Sequence, residues 1–550
     1  MSVTETTPAR VRLPRISPWS AGALVIAAIV LMPILSVFGI ALFPSDNIWP
    51  HLIATTLPRY LANTGIVMVG VGLLSGAVGT GAAWLVSRYD FPGRRWLEWL
   101  LLLPLAIPAY VGAYALVDFL EYAGPVQTAL RGVFGWQSAQ DYWFPQIRSI
   151  GAAILVLSGS LFPYVYLLAR NAFREQSASS EEVAQSLSTG AFGRFWRVGL
   201  PLARPAIVAG MAIAMMESIN DFGTVDYFAV QTLTTGIFSV WLTANNAGGA
   251  AQIASVVLLL VVLLVAMEKI SRRKMRFFNL STRHRPVPRK PMTGSLAWLM
   301  TLACALPFAF GFVLPAGVIL NHAVENAEYW RDDDLWQAGL HTLVVGGLAS
   351  VLTVAAGVFL VYGVRISRRP LPRLLMPVTT IGYAAPGAVL GVGILIPLAA
   401  LDNTVADAIW GATGWDPGLV MTGTAFALVL AYCVRFFAIG QGAADAAMGR
   451  ISPNLSAAAR SLGRTQGQVL REVYYPLMRG SVASALLLVF VDCVKELPAT
   501  LLLRPFNYET LATRVHEQAS LENLGGASPA AMLVIGVGLL AVGLLARANR

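Results

Sequence analysis

Residues Glu182 to Pro201 read EVAQSLSTGAFGRFWRVGLP, and residues Ala457 to Pro476 read AAARSLGRTQGQVLREVYYP. Aligned on their prolines, Ala184 falls on Ala459, Leu187 on Leu462, Val198 on Val473 and Leu200 on Tyr475. Each stretch is polar and amphipathic, and each lies between two strongly apolar segments. In the first, Leu187, Phe192, Phe195, Trp196 and Leu200 recur at roughly helical spacing, with Arg194 and Arg197 between them. In the second, Leu455, Ala458, Leu462, Val469, Leu470 and Val473 do the same among Arg460, Arg464 and Arg471. That spacing predicts short amphipathic helices. Ser179 with Glu182 makes a capping-box pattern, and Ser452-Pro453 places a capping serine before a first-turn proline. Pro201 and Pro476 are expected to break the helical ladder before the next segment. One motif in each half of the chain argues for a tandem duplication.

Working outward, the 550 residues are 56% hydrophobic and only 12% charged, against about 25% charged in an ordinary soluble domain. The expected fold class is therefore an all-α membrane protein, with about twelve transmembrane helices in two parallel six-helix repeats and short amphipathic helices on the cytoplasmic side. Candidate spans are 21–43, 63–86, 97–119, 150–170, 205–222 and 250–268, then 297–320, 342–364, 373–400, 417–438, 481–500 and 529–546. The first reads as a retained span, since no small-residue cleavage pattern lies in it. The net charge of +10 is scattered between apolar runs and forms no stripe, so no nucleic-acid partner is expected. Cys304, Cys433 and Cys493 lie in apolar stretches without CxxC spacing and read as small core residues.

Arginine and lysine set the orientation. The tail (Arg10, Arg12, Arg15), Arg88/Arg94/Arg95, Arg170/Arg174/Arg194/Arg197 and Arg272/Arg273/Lys274/Arg276 fall on alternate loops. So do Arg365/Arg368/Arg369/Arg373, Arg435/Arg450/Arg460/Arg464/Arg471 and Arg547/Arg550. The positive-inside rule then places both termini and both motif copies in the cytoplasm. The expected division is a cytoplasmic tail at 1–18, a six-span unit at 19–270, a basic cytoplasmic linker at 271–292 and a second six-span unit at 293–550. The linker charge reads as fixing topology and attracting anionic lipid headgroups. Asn63-Thr64 matches His341-Thr342, and Pro104 and Pro108 echo Pro377 and Pro386. A parallel repeat implies a two-fold axis along the membrane normal, with a pathway between the halves.

The amphipathic motif could dock on lipid, on its own bundle or in a partner's groove. Its spacing resembles the EAA motif of ATP-binding-cassette importer permeases: E-A-A, three residues, G, nine residues, I-x-L-P. The first copy supplies Glu182, Ala184, Val198, Leu200 and Pro201. It departs at Val183 and at Ser188, which replaces the glycine, and Gly190 follows two positions later. The second copy supplies Ala458, Ala459, Gly463, Val473 and Pro476, and departs at Ala457, where the acid is missing, and at Tyr475. The resemblance implies that this loop seats in a cleft of an ATPase subunit and transmits its closure to the spans. Glu182 is then a polar contact to that subunit; alternatively it caps its own helix. Phe195 and Trp196 are the expected apolar docking contacts. The chain contains no GxxxxGK[ST], so ATP and Mg belong to a separate subunit, and no catalytic grouping or bound cofactor is expected.

The segments at 216–242 and 489–520, with the paired motifs, resemble the fused twelve-span permeases of bacterial ferric-iron importers. That resemblance implies an inner-membrane location, a periplasmic binding protein, two ATPase copies and Fe3+ as cargo. Permeases for thiamine and phosphonate share the architecture, and an ion-gradient-driven secondary transporter is the reading from another class. Glu217, Asp221, Asp226, Asp492 and Glu496 are the candidate path residues, because acids in or beside a span are costly and hard cations prefer oxygen. The competing reading is that they pair with Lys495, bond between helices or cap broken helix ends. No metal ligand is assigned, and Tyr110 and Tyr227 are further oxygen donors whose simpler role is aromatic packing.

Overall fold

The computed structural model describes residues 18–44, 47–176, 190–273, 288–367 and 370–548. The apolar runs become helices because a backbone in hydrocarbon must close its hydrogen bonds within the segment. The first half runs through α1 (Pro18–Leu42), α2 (Leu57–Arg88), α3 (Arg94–Leu100), α4 (Ala109–Leu120), α5 (Ile150–Glu175), α6 (Leu200–Asn220), α7 (Gly223–Tyr227) and α8 (Ala247–Arg273). The second repeats the order with α9 (Gly294–Phe308), α10 (Leu314–Glu325), α11 (Asp333–Ser367), α12 (Pro370–Val378), α13 (Gly387–Thr413) and α14 (Ala425–Gly449). It continues through α15 (Pro453–Ser461), α16 (Tyr475–Lys495), α17 (Pro498–Leu503), α18 (Leu511–Ser520) and α19 (Leu524–Ala548). Among the described residues, eleven helices are long and apolar enough to cross a membrane. The pair Arg94–Ala106 and Ala109–Phe134, bent by 95°, makes twelve if counted as one crossing.

The duplication is visible in single hydrogen bonds. Thr64 Oγ1 accepts from the Leu233 amide at 3.0 Å, and Thr342 Oγ1 accepts from the Leu511 amide at 2.8 Å. Beside them Asn63 donates to the Gln231 carbonyl, while His341 Nδ1 lies 2.9 Å from the Glu509 carbonyl. The chain approaching each site forms a threonine capping box, Thr232 with Thr235 and Thr510 with Thr513. The two halves nevertheless interlock. Helix α1 packs on α13 and α11 of the second half, and α9 and α10 pack on α2 and α4 of the first. A Cβ at Gly393 would stand 2.3 Å from the Pro33 carbonyl oxygen, so glycine permits this crossing.

Pro201 and Pro476 do not break the ladder as expected. Each lies at the start of a helix that continues a π-helical turn, Phe195–Gly199 before α6 and Leu470–Tyr474 before α16. Leu200 donates to Phe195 O and Tyr475 to Leu470 O, five residues back. The extra residue in the turn relieves the clash of the ring with the carbonyl four residues earlier. Pro315 follows the turn Ala309–Val313 in the same way. The expected spans 205–222 and 481–500 therefore begin earlier, at Phe195 and Gln466. Beyond the helices, β1 (Tyr89–Asp90) pairs in parallel with β2 (Lys290–Pro291), tying the return of the linker to the end of α2. Most of the expected linker, 274–287, and the tail to residue 17 lie outside the described residues.

Candidate functional site

Four interruptions of helix meet partway along the bundle. Ile107 is extended (ψ 122°) before Pro108, and Ala385 (ψ 123°) before Pro386, as residues before proline prefer. Helix α6 stops at Asn220 and α16 at Lys495, where Asp221 (ψ 133°) and Glu496 (ψ 120°) turn extended. The breaks pack directly on one another. A Cβ at Gly387 would meet Glu496 Oε1 at 2.4 Å, and one at Gly223 would meet the Tyr110 Cβ at 2.8 Å. Interrupted helices at membrane depth are tolerated where they are buried in protein or line a cavity.

They line one here. A cavity of about 180 Å³ lies between the halves, walled by Tyr110, Tyr164, Glu217, Asn220, Asp221, Arg435, Asp492, Lys495 and Glu496. Four of the five candidate acids are thus brought together. The fifth, Asp226, is exposed and outside the lining. Asp221 caps α7 by accepting from the amides of Thr224 (2.9 Å) and Val225 (3.2 Å). Glu496 caps α17 by accepting from Ala499 (3.1 Å) and Thr500 (3.0 Å), and pairs with Arg435 at 3.4 Å. These two acids therefore follow the capping reading. Glu217 and Asp492 face the cavity from the preceding turn of α6 and α16. Lys495 reaches across to donate to the Leu105 carbonyl at 2.5 Å.

Two cavity oxygens, Tyr110 Oη and Asn220 Oδ1, have no hydrogen-bond partner among the described residues. Also among the described residues, no group of three or more His, Cys, Asp or Glu is placed to hold a metal ion. Four carboxylates against two cations make a polar chamber rather than a ligand cage. Outward from it, one face of α4 presents Tyr110, Tyr114 and Asp118 at successive turns. Tyr114 Oη bonds His516 Nδ1 at 2.8 Å, and Asp118 bonds His322 Nε2 at 2.9 Å, both across to the second half. Tyr227 packs edge-on to Tyr114 with ring centroids 4.5 Å apart, the aromatic role.

Arg435 was expected among the loop arginines and is instead in the middle of α14, walling the cavity. The signal was present, since a lone arginine within AYCVRFFAIG is too deep in an apolar run to be a loop residue. Tyr164 and Asn220 carried no such signal.

At the motif-bearing end, the second copy is not one helix. Helix α15 ends at Ser461, Gly463 takes φ +81°, and a new helix opens at Gln466 under a capping box from Thr465. The left-handed residue is where the motif carries its glycine. Ala459 is buried, whereas Ala457 and Ala458 are exposed, with Leu455 at 47% and Leu462 at 81% exposure. Val473 is half-buried and Pro476 exposed. Tyr362 donates to the Gln466 carbonyl and Trp19 Nε1 to the Gln466 side chain at 2.8 Å, anchoring this end to α11 and α1. In the first copy Glu182, Ala184 and Ser188 lie outside the described residues. Gly190 is exposed, Leu200 is half-buried, and Pro201 and Trp196 are exposed. Phe195 is half-buried and packs edge-on against Trp84 at 5.2 Å, so one side of its ring is held by the bundle.

Residues 75–277 match the family model described as binding-protein-dependent transport system inner membrane component. The chain is 25% identical to the Fe(3+)-transport system permease protein FbpB 2 of Haemophilus influenzae, over 87% of this chain and 88% of that protein. It is 20% identical to the ferric transport system permease protein FbpB of Actinobacillus pleuropneumoniae, over 87% of this chain and 70% of the relative. Over a shorter region, 37% of this chain and 71% of the relative, it is 30% identical to the probable sulfate transport system permease protein cysT of Nephroselmis olivacea.

Proposed function

Because the chain belongs to the family of binding-protein-dependent transport system inner membrane components, we propose that it is the membrane-spanning subunit of an ATP-driven importer of ferric iron. The motif-bearing end and both termini face the cytoplasm, as the basic loops favour. Two copies of a separate ATPase subunit, which use ATP and Mg, seat against the two motif copies. A periplasmic binding protein delivers the ion to the opposite end. ATP-driven closure of the ATPase pair moves the halves, and the cavity between them opens alternately to each side.

The observation that carries this reading is the cavity walled by Glu217, Asp221, Asp492 and Glu496 between two like halves. Oxygen donors suit a hard cation. A site without a complete ligand cage suits passage, because cargo must also leave. The formal excess of carboxylates disfavours a sulfate- or molybdate-like anion, although relatives named for sulfate and molybdenum match part of the chain.

The test is uptake into proteoliposomes holding the permease and its ATPase subunits, with the cognate binding protein outside. ATP inside should drive entry of radioactive ferric iron, and sulfate, molybdate and thiamine should not be carried. Iron entry driven by a proton gradient without ATP would point to a secondary transporter.

A further inference from the structure

A second cavity, of about 710 Å³, lies apart from the central chamber, where β2 returns to β1. Its wall carries Arg88, Arg94, Arg95, Arg174 and Arg289, with Asp90 the one acid among the described residues of the lining. Just behind it, Glu98 takes Arg94 at 3.1 Å, Arg174, and Arg170 at 3.6 Å. Arg94 also holds Asp90 at 3.0 Å. Two carboxylates thus face six guanidinium groups, and Arg95 and Arg289 have no carboxylate partner among the described residues. Arg289 stays exposed at the rim; partial desolvation, and then the like charge of Arg94, lowers its guanidinium from the usual range, with Glu98 and Asp90 opposing the shift.

We propose that this pocket binds a phosphate-class anion, carried by the headgroup of an acidic phospholipid. Arginine forks suit phosphate oxygens in two-pronged pairs. The flanking helices supply a surface for acyl chains: Trp96 on α3 is 76% exposed, Trp298 on α9 is 65% exposed, and Leu302 one turn on is exposed as well. Exposed tryptophan beside clustered arginine is the pattern of a membrane interface. The site also reaches the first motif copy. Arg88 donates to Gln176 at 2.6 Å, and Gln176 donates to the Gly199 carbonyl at 3.0 Å. A headgroup held by Arg88 therefore bears on the segment that precedes the motif and on the π-helical turn at the motif's end.

The proposal takes its leaflet, the cytoplasmic one, from the orientation proposed above. Its test reads lipid binding rather than iron uptake, so the importer reading stands or falls separately. The permease–ATPase complex in detergent is heated with phosphatidylglycerol, with phosphatidylcholine or with inorganic phosphate, and the melting temperature is followed. Phosphatidylglycerol should raise it by roughly 3 °C, and the other two should not. The double variant R95Q/R289Q, altered only at exposed positions, should lose most of that rise and keep its own melting temperature without lipid. R373Q, an exposed arginine in the second half, should retain the rise. An equal response to phosphatidylcholine, or an undiminished response in R95Q/R289Q, overturns the site. An equal response to inorganic phosphate overturns the lipid as its source.

Discussion

Asp221 and Glu496, one in each half, make the same structure: each ends a long helix and caps the short one that follows through the amides three and four residues on. They are not equal in energy. Losing a cap costs about 1 kcal/mol, whereas stranding a buried charge costs about 3–5 kcal/mol. Glu496 also neutralises Arg435, which is largely buried. Glu496→Ala should therefore lower thermal stability well beyond Asp221→Ala. Melting curves of the purified variants decide it, and the reverse order would contradict the pairing described here.

Glu217 and Asp492 make neither of the caps, although they wall the same chamber. Glu217→Gln with Asp492→Asn should cut iron uptake at least tenfold, about 1.4 kcal/mol in rate terms. Expression and ATPase co-purification should stay normal. Uptake at the level of the unchanged protein would return both acids to a structural role.

The spans and the duplication were legible in the sequence because hydropathy and the Asn63-Thr64/His341-Thr342 match report burial and pairing directly. The breaks were less so. Pro108 and Pro386 were visible as a matched pair, but a proline does not state whether its helix bends, is absorbed or stops. Pro201 and Pro476 look equally disruptive, yet a π-helical turn absorbs each. The acids were found from their depth, and their division into caps and cavity walls was not legible. That division depends on which amides lie three residues beyond a helix end. Charge alone puts Arg435 with the nearby loop arginines, whereas its apolar neighbours in AYCVRFFAIG put it inside a span.

Leu455 and Leu462 offer an apolar face that the bundle leaves uncovered. Leu455→Asp with Leu462→Asp should release the ATPase subunit on size-exclusion chromatography while leaving the permease folded. Phe195→Ala should behave differently. It removes a ring packed on Trp84 and should lower the melting temperature, at a cost up to the roughly 3–5 kcal/mol of a buried ring. If Phe195→Ala released the subunit without any thermal change, Phe195 would belong to the docking face after all.

Gly463 separates α15, the helix proposed to dock, from the span that follows it. A Cβ there would touch nothing within 4 Å, so Gly463→Ala acts only through its backbone, which sits at φ +81°. An L-residue in the left-handed region costs about 1–2 kcal/mol. The variant should bind the ATPase subunit several-fold more weakly and hydrolyse ATP with less transport per turnover. Unchanged affinity, read by titrating the subunit onto immobilised permease, would mean the turn does not set the docking geometry.

The far end of α4 is fastened to the second half through Tyr114 with His516 and Asp118 with His322. Both bonds lie on the face that begins with Tyr110 in the cavity wall, so separating the halves on that side must break them. Each net hydrogen bond is worth about 1 kcal/mol, and losing both shifts an open–closed equilibrium by about 2 kcal/mol, roughly 30-fold. Tyr114→Phe with His322→Ala should therefore favour the state open at the far end before any binding protein arrives. In the reconstituted complex this reads as ATP hydrolysis that rises without binding protein and gains less when it is added. Basal hydrolysis equal to that of the unaltered complex would show that the two contacts break at no cost to the cycle, leaving closure to the packing of α10 and α18.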